Sequence, residues 1–235
     1  MNKTQLLHNL DRWQASSHPD LAMSKPRELF ERKFARRYCR LQDDLWRRMT
    51  RLHGTLYSLE ELKDFPFDYL HAPGEMEFWR LVVENFLDFV VVTLYGLLID
   101  TGPDVHTLPA FRDDIVRAEW RCQEKYKLLK LTLRQRRFDQ VCKSITKRVD
   151  GLRNAWIAHR LIDKQSGSPK EALASVSFAE LKRLFQAAHS LFGAISFGST
   201  YATLGGDLMP TTRGGQPTPT CLQTVLMLFS ATVLS

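Results

Sequence analysis

The sequence has few of the residues that build disulfide frameworks, metal centres and phosphate-binding loops. Its four cysteines, Cys39, Cys122, Cys142 and Cys221, include no C-x-x-C pair, which indicates reduced thiols and argues against a zinc site. It contains no His-Glu-x-x-His motif, and its glycine pairs lack the preceding strand that a phosphate loop requires. We therefore expect no metal ion and no cofactor.

Apolar segments long enough for a membrane are also scarce. The first four residues lack the apolar core of a signal peptide, so we expect a cytoplasmic protein. The apolar stretch 86–99 contains Asp88 and is followed by Asp100, which makes it too short and too charged to cross a bilayer. We expect it to be a buried core helix, and we expect no membrane partner.

The net charge of +7 is distributed unevenly. Residues 27–53 hold nine Lys and Arg against four Asp and Glu, and residues 112–148 hold twelve against five. Residues 54–111 reverse the balance, with two basic against ten acidic residues. This pattern suits a polyanion partner or complementary self-association, but solvated helix faces would explain it equally well.

Apolar residues recur every three or four positions in four long stretches, and no alternating strand pattern is present. The first predicted helix starts at Pro26 and stops at Gly54, and the second runs from about 74 to 99. A third covers about 120–162, with Gly151 able to kink it, and a fourth covers 177–197 behind a capping box of Ser177 and Glu180. The fold class is therefore predicted to be all-α, with a loosely held leader at 1–25, a helical domain at 26–200 and a flexible segment with an apolar tail at 201–235.

One stretch carries candidate chemistry, the residues Arg153-Asn154-Ala155-Trp156-Ile157-Ala158-His159. A histidine moves protons near neutral pH, an arginine holds a phosphate, and an asparagine amide orients either of them. Arginine six residues before histidine also occurs at 12/18, 47/53 and 183/189, so the spacing alone does not select this copy. This copy is selected by its context, namely the Asn directly after Arg153 and the apolar residues directly before His159.

The stretch from Leu152 to Arg160 resembles the motif of the HEPN superfamily, within it the branch similar to bacterial abortive-infection proteins. The resemblance implies a HEPN-like helical bundle of four to five long helices, usually dimeric, that cuts RNA without a metal. Leu161 stands where toxins paired with nucleotidyltransferases carry tyrosine, which argues against that subgroup.

The resemblance implies a metal-independent endoribonuclease of toxin or phage-defence type, which cleaves by attack of a ribose 2′-hydroxyl. Its catalytic residues would be Arg153, Asn154 and His159, and the neighbouring Lys147, Arg148 and Arg160 would bind RNA. On an ideal helix Arg153 and His159 point about 120° apart. Either the long arginine side chain reaches around the helix, or the site is composite in a homodimer, which is the arrangement we expect. A neutralising antitoxin or regulatory protein is a further expected partner. The alternative is an inactive helical module that binds RNA or an acidic protein, with Arg153 in an ion pair such as one to Asp150.

Overall fold

The computed structural model of the chain is all-α, as the periodicity predicts. It describes residues 19–63, 65, 73–100, 106–166 and 177–198, with the backbone alone at 19, 63, 73 and 155–166. Within these ranges no strand occurs, and the only bridge pairs Phe30 with Trp120. The part of the predicted leader before Pro19, and the predicted segment and tail at 201–235, lie outside the described residues.

The described chain forms eight helices in sequence order. They are α1 (Pro19–Ala22), α2 (Pro26–Leu29), α3 (Arg32–Lys63), α4 (Pro73–Leu98), α5 (Leu108–Arg117), α6 (Gln123–Gln135), α7 (Phe138–Ser166) and α8 (Phe178–Ile195). The long helices α3, α4, α7 and α8 correspond to the four predicted stretches. They pack around one apolar core, in which α4 lies against both α3 and α7.

Helix α3 is longer than predicted, and the predicted stop at Gly54 is wrong. Glycine in a helix interior costs about 1 kcal/mol relative to alanine. The buried leucines continue past it at helical spacing, with Leu52, Leu56, Leu59 and Leu62 all at most 5% exposed. Burial of each such side chain is worth about 1.5–3 kcal/mol, which outweighs the glycine.

Two other predicted helices are divided. The helix that begins at Pro26 ends at Leu29, where Phe30 leaves the helix to pair with Trp120 and is fully buried. The predicted region 120–162 breaks at Arg137, whose φ of +51° lies in the left-handed region that non-glycine residues rarely adopt. Gly151, which the sequence leaves able to kink the helix, lies inside α7, and α7 continues through it without interruption.

The end of α8 is fastened to α3 and to the start of the described chain. The buried Tyr38 hydroxyl donates to the Ile195 carbonyl at 2.9 Å and accepts from the Phe197 amide at 2.7 Å. One residue later, the Gly198 amide donates to the Ala22 carbonyl at 2.8 Å. These bonds satisfy backbone groups at the helix end that would otherwise be buried without a hydrogen-bond partner.

Helix α4 was expected to be central, but only one of its faces is buried. Val90, Leu94 and Leu97 are fully buried, whereas Phe89 is 39% and Val92 is 56% exposed. By length and composition alone α4 could cross a membrane, although core helices of soluble proteins meet the same criteria. About 28% of its most apolar window is buried, less than the sequence-based expectation of a core helix implies.

Candidate functional site

The predicted site lies on α7, the 29-residue helix Phe138–Ser166. Val149 and Leu152 are buried at 0% and 3% exposure and fix which side of α7 faces the core. Arg153, one residue further along, is half-buried, and Asn154 is exposed. The first two predicted site residues therefore lie at the boundary between core and solvent, where side chains remain accessible to a ligand.

Arg153 packs against an aromatic ring of the neighbouring helix. Its guanidinium carbon lies 4.8 Å from the centroid of the Tyr95 ring on α4. One of its terminal nitrogens donates to the Asn154 side-chain oxygen at 3.3 Å. A cation held over a ring face in this way is weakly attracted and is limited in its orientations.

The guanidinium of Arg153 forms no ion pair with a carboxylate in the described part of the chain, and the alternative pairing with Asp150 is not observed. One of its five N–H donors is used by Asn154. The structure thus brings Arg153 and Asn154 together and leaves Arg153 able to accept an anion.

The position of His159 is described by its backbone only. Because α7 is continuous from residue 138 to 166, the two positions lie six residues apart on one helix. Their Cα atoms are therefore separated by about 9 Å along the axis and about 120° around it. The backbone thus keeps the separation on which the expectation of a composite site was based. The side chains of His159 and Arg160 lie outside the described residues.

The residues expected to bind RNA beside the motif have different surroundings. Lys147 is exposed. Arg148 instead makes an ion pair with Glu180 on α8, and Glu180 is 1% exposed. Its hydrogen bond to that carboxylate raises the pKa of Arg148. Arg148 is therefore a structural contact between α7 and α8 in this arrangement.

Ser177 and Glu180 depart partly from the predicted capping box. The Ser177 hydroxyl accepts from the Glu180 amide at 3.2 Å, as expected for an N-cap residue. The Glu180 carboxylate, however, pairs with Arg148.

Two of the other Arg/His pairs with the same spacing lie in the described chain. His53 packs on the Phe185 ring with centroids 5.4 Å apart, and burial lowers its pKa, with a smaller effect from Lys182. Burial likewise lowers the pKa of His189, and the charge of the nearby His53 lowers it further. These imidazoles belong to the contact between α3 and α8. The pair at residues 12 and 18 lies outside the described residues.

One feature was not found from the sequence, a cleft with a volume of about 290 Å³ beside α3. Its lining consists of Arg37, Arg40, Leu41, Asp44, Arg48 and His106. The spacing of its arginines along α3 is visible in the sequence, but the contribution of His106 depends on how the segment before α5 packs. No cluster of three or more potential metal-binding side chains occurs among the described residues.

Comparison with known proteins gives no relative for this chain. No family model, no curated protein and no solved structure matches it. The resemblance to the HEPN superfamily therefore depends on the motif residues alone.

Proposed function

We propose that this protein is a metal-independent endoribonuclease of toxin or phage-defence type, with Arg153 and His159 as its principal catalytic residues. The observation that carries the proposal is the state of Arg153. This side chain is half-buried on Tyr95, lies beside Asn154, and is ion-paired with no described carboxylate. Arg148, five residues earlier on α7, is by contrast held in an ion pair with Glu180.

The proposed reaction is transfer of the phosphodiester to the neighbouring ribose. The 2′-hydroxyl loses its proton to a base and its oxygen attacks the adjacent phosphorus. The bond to the 5′-oxygen breaks and that oxygen takes a proton from an acid, which gives a 2′,3′-cyclic phosphate and a 5′-hydroxyl. His159 is the base or the acid, and Arg153 stabilises the charge on the pentacoordinate phosphorus. Asn154 orients the phosphate or His159.

The proposed site is composite, with Arg153 of one copy facing His159 of another. Support comes from the continuity of α7, because a separation of about 120° keeps the two residues of one copy off a common face. A two-fold axis beside residues 150–160 would bring the two motifs into one cleft. A homodimer is therefore part of the proposal, and so is a neutralising antitoxin or regulatory protein as an additional partner.

The alternative is a helical module that binds RNA or an acidic protein without cutting it. A specific observation favours it, since the arginine-lined cleft lies on α3 and not on α7, the helix that carries the motif. Binding and cleavage must therefore be measured separately.

The test is cleavage of total tRNA and mRNA in excess EDTA. We expect wild type to produce fragments with 2′,3′-cyclic ends, and His159→Ala to lose about 10²–10⁴-fold of the rate. Asn154→Ala should lose less. His53→Ala is the matched control, because it removes a histidine of the same Arg/His spacing from a structural contact. Cleavage that EDTA abolishes, or an equal loss in the control, would contradict the proposal.

A further inference from the structure

Helix α3 carries a strip of basic side chains opposite its apolar stripe. At 100° per residue, seven basic residues of α3 fall within about 120° of the helix circumference. They are Lys33, Arg36, Arg37, Arg40, Arg47, Arg48 and Arg51, here called the basic strip. Lys33 and Arg51, the ends of the strip, are 18 positions apart, which is about 27 Å at a rise of 1.5 Å per residue. The buried Leu45, Met49 and Leu52 lie on the other side of the helix.

Most of the basic strip is exposed and uncompensated. Arg36, Arg40, Arg47 and Arg51 are exposed and form no ion pair with any carboxylate that the structure describes. The only acidic residue within the same arc of α3 is Asp44. Like charges gathered on one helix face repel one another, so such a strip is stabilised by an anionic ligand.

The two remaining arginines are held in place by carboxylates at the cleft. Arg37 reaches Asp114 of α5 at 2.6 Å, and Arg48 pairs with Asp44. Arg48 also donates to the His106 carbonyl at 3.4 Å. Each contact uses one nitrogen of a guanidinium that has five N–H donors, so both arginines keep donors for a further acceptor. Arg40 lies between them in the lining of the cleft.

We propose that the basic strip binds the phosphate backbone of an RNA strand, with one phosphate seated in the cleft at Arg37, Arg40 and Arg48. The choice of RNA rests on the proposed function, whereas the binding of a phosphate backbone rests on the strip itself. Guanidinium groups match phosphate oxygens in pairs, and a strip of about 27 Å is long enough to contact several consecutive phosphates.

The surroundings of the strip favour an RNA strand over an anionic membrane. Helices that lie on a membrane bury an apolar face beside their basic residues. None of the large hydrophobic side chains exposed in the described chain belongs to α3. Five of them lie on α4, namely Met76, Phe78, Leu81, Phe89 and Val92. The basic strip therefore offers charge and hydrogen-bond donors without an apolar anchor.

The test measures binding to a labelled 20-nucleotide single-stranded RNA by fluorescence anisotropy in the His159→Ala background, which prevents cleavage. The strip variant is Arg36→Gln/Arg40→Gln/Arg47→Gln. The matched control, Lys127→Gln/Arg134→Gln/Lys143→Gln, removes the same charge from exposed residues of α6 and α7. We expect the strip variant to bind at least about tenfold more weakly and its log Kd–log salt slope to fall by about two, since each single-strand contact contributes about 0.7. The control should change both quantities less.

Three additional measurements make the inference specific. A peptide nucleic acid of the same base sequence has no backbone charge and should not bind. Binding to phosphatidylserine vesicles, and binding to a polyglutamate peptide, should each be weakened by the strip substitutions less than binding to RNA is. The single variant Arg40→Gln repeats the RNA-binding measurement with a smaller change in charge, and its melting curve shows whether the fold is retained.

Equal losses in the strip and control variants, binding of the neutral oligomer, or a larger effect on vesicles or polyglutamate would overturn the inference. Because binding is measured without cleavage, its result is independent of whether His159 is catalytic. A strip that binds RNA in a protein that does not cut would support the strip and refute the proposed reaction.

Discussion

The ion pair between Arg148 and Glu180 predicts an asymmetric response to substitution. Glu180 is 1% exposed, whereas the Arg148 side chain is 30% exposed and reaches water. Arg148→Ala therefore removes the cation paired with a buried carboxylate, a change that costs about 3–5 kcal/mol. Glu180→Gln leaves a cation that water still solvates and an amide that still accepts a hydrogen bond. We therefore expect this variant to lose only about 1 kcal/mol of stability.

Thermal unfolding followed by circular dichroism measures the difference. For a protein of this size 1 kcal/mol shifts the Tm by roughly 2–4 °C, so Arg148→Ala should lower it by roughly 10 °C and Glu180→Gln by a few degrees. The deficit of Arg148→Ala should shrink between pH 7 and pH 5, because burial without the Arg148 cation favours protonation of the Glu180 carboxyl. The apolar pair Arg148→Met/Glu180→Leu should lie near wild type.

Equal losses for the two single variants would refute this account of the ion pair. So would an Arg148→Ala deficit that grows as the pH falls.

Three further predictions concern the rest of the fold. Burial lowers the pKa of His53 and of His189 below the ordinary 6.5, so the unfolded chain takes up protons first. Above about pH 6.5 the two histidines should leave the free energy of unfolding unchanged, and below that pH they should make it fall. Urea titrations of wild type and of His53→Gln/His189→Gln should show a weaker fall with pH in the variant. Parallel curves for the two proteins would contradict the prediction. Tyr38→Phe removes a hydroxyl that both donates and accepts inside the core, so urea unfolding should register a loss of about 1–3 kcal/mol, and an unchanged midpoint would argue against these bonds. Gly198→Ala should lower the Tm, because φ is +64° and the added Cβ would lie 2.6 Å from the Pro26 side chain; a Tm equal to wild type would contradict the described close approach.

The long helices were predictable because each keeps an apolar stripe over several turns. The errors occur where packing overrides a local signal. Gly54 is a helix breaker by propensity, but the buried leucines on both sides carry α3 through it. The turn at Arg137 could not be predicted from a local signal, because arginine rarely adopts the left-handed conformation that this residue has directly before the buried Phe138.

The candidate site was predictable only in part, for a related reason. Arg153 and Asn154 were selected from the motif, and the structure places both at the surface of α7. The contact of Arg153 with Tyr95 depends on how α4 and α7 pack, which no spacing within either helix encodes. The same holds for Arg148, where a basic residue beside the motif suggested RNA contact but a buried glutamate 32 residues later holds it in an ion pair.

The most direct test of the central claim mixes two inactive variants. If Arg153 of one copy works with His159 of the other, then Arg153→Ala and His159→Ala proteins are each inactive on RNA. After unfolding and refolding together in equal amounts, about half of the dimers pair the two variants, and each of these has one intact site. The account predicts recovery of about one quarter of the wild-type cleavage rate in EDTA. A mixture as inactive as its components, or a single variant that retains wild-type cleavage, would contradict it.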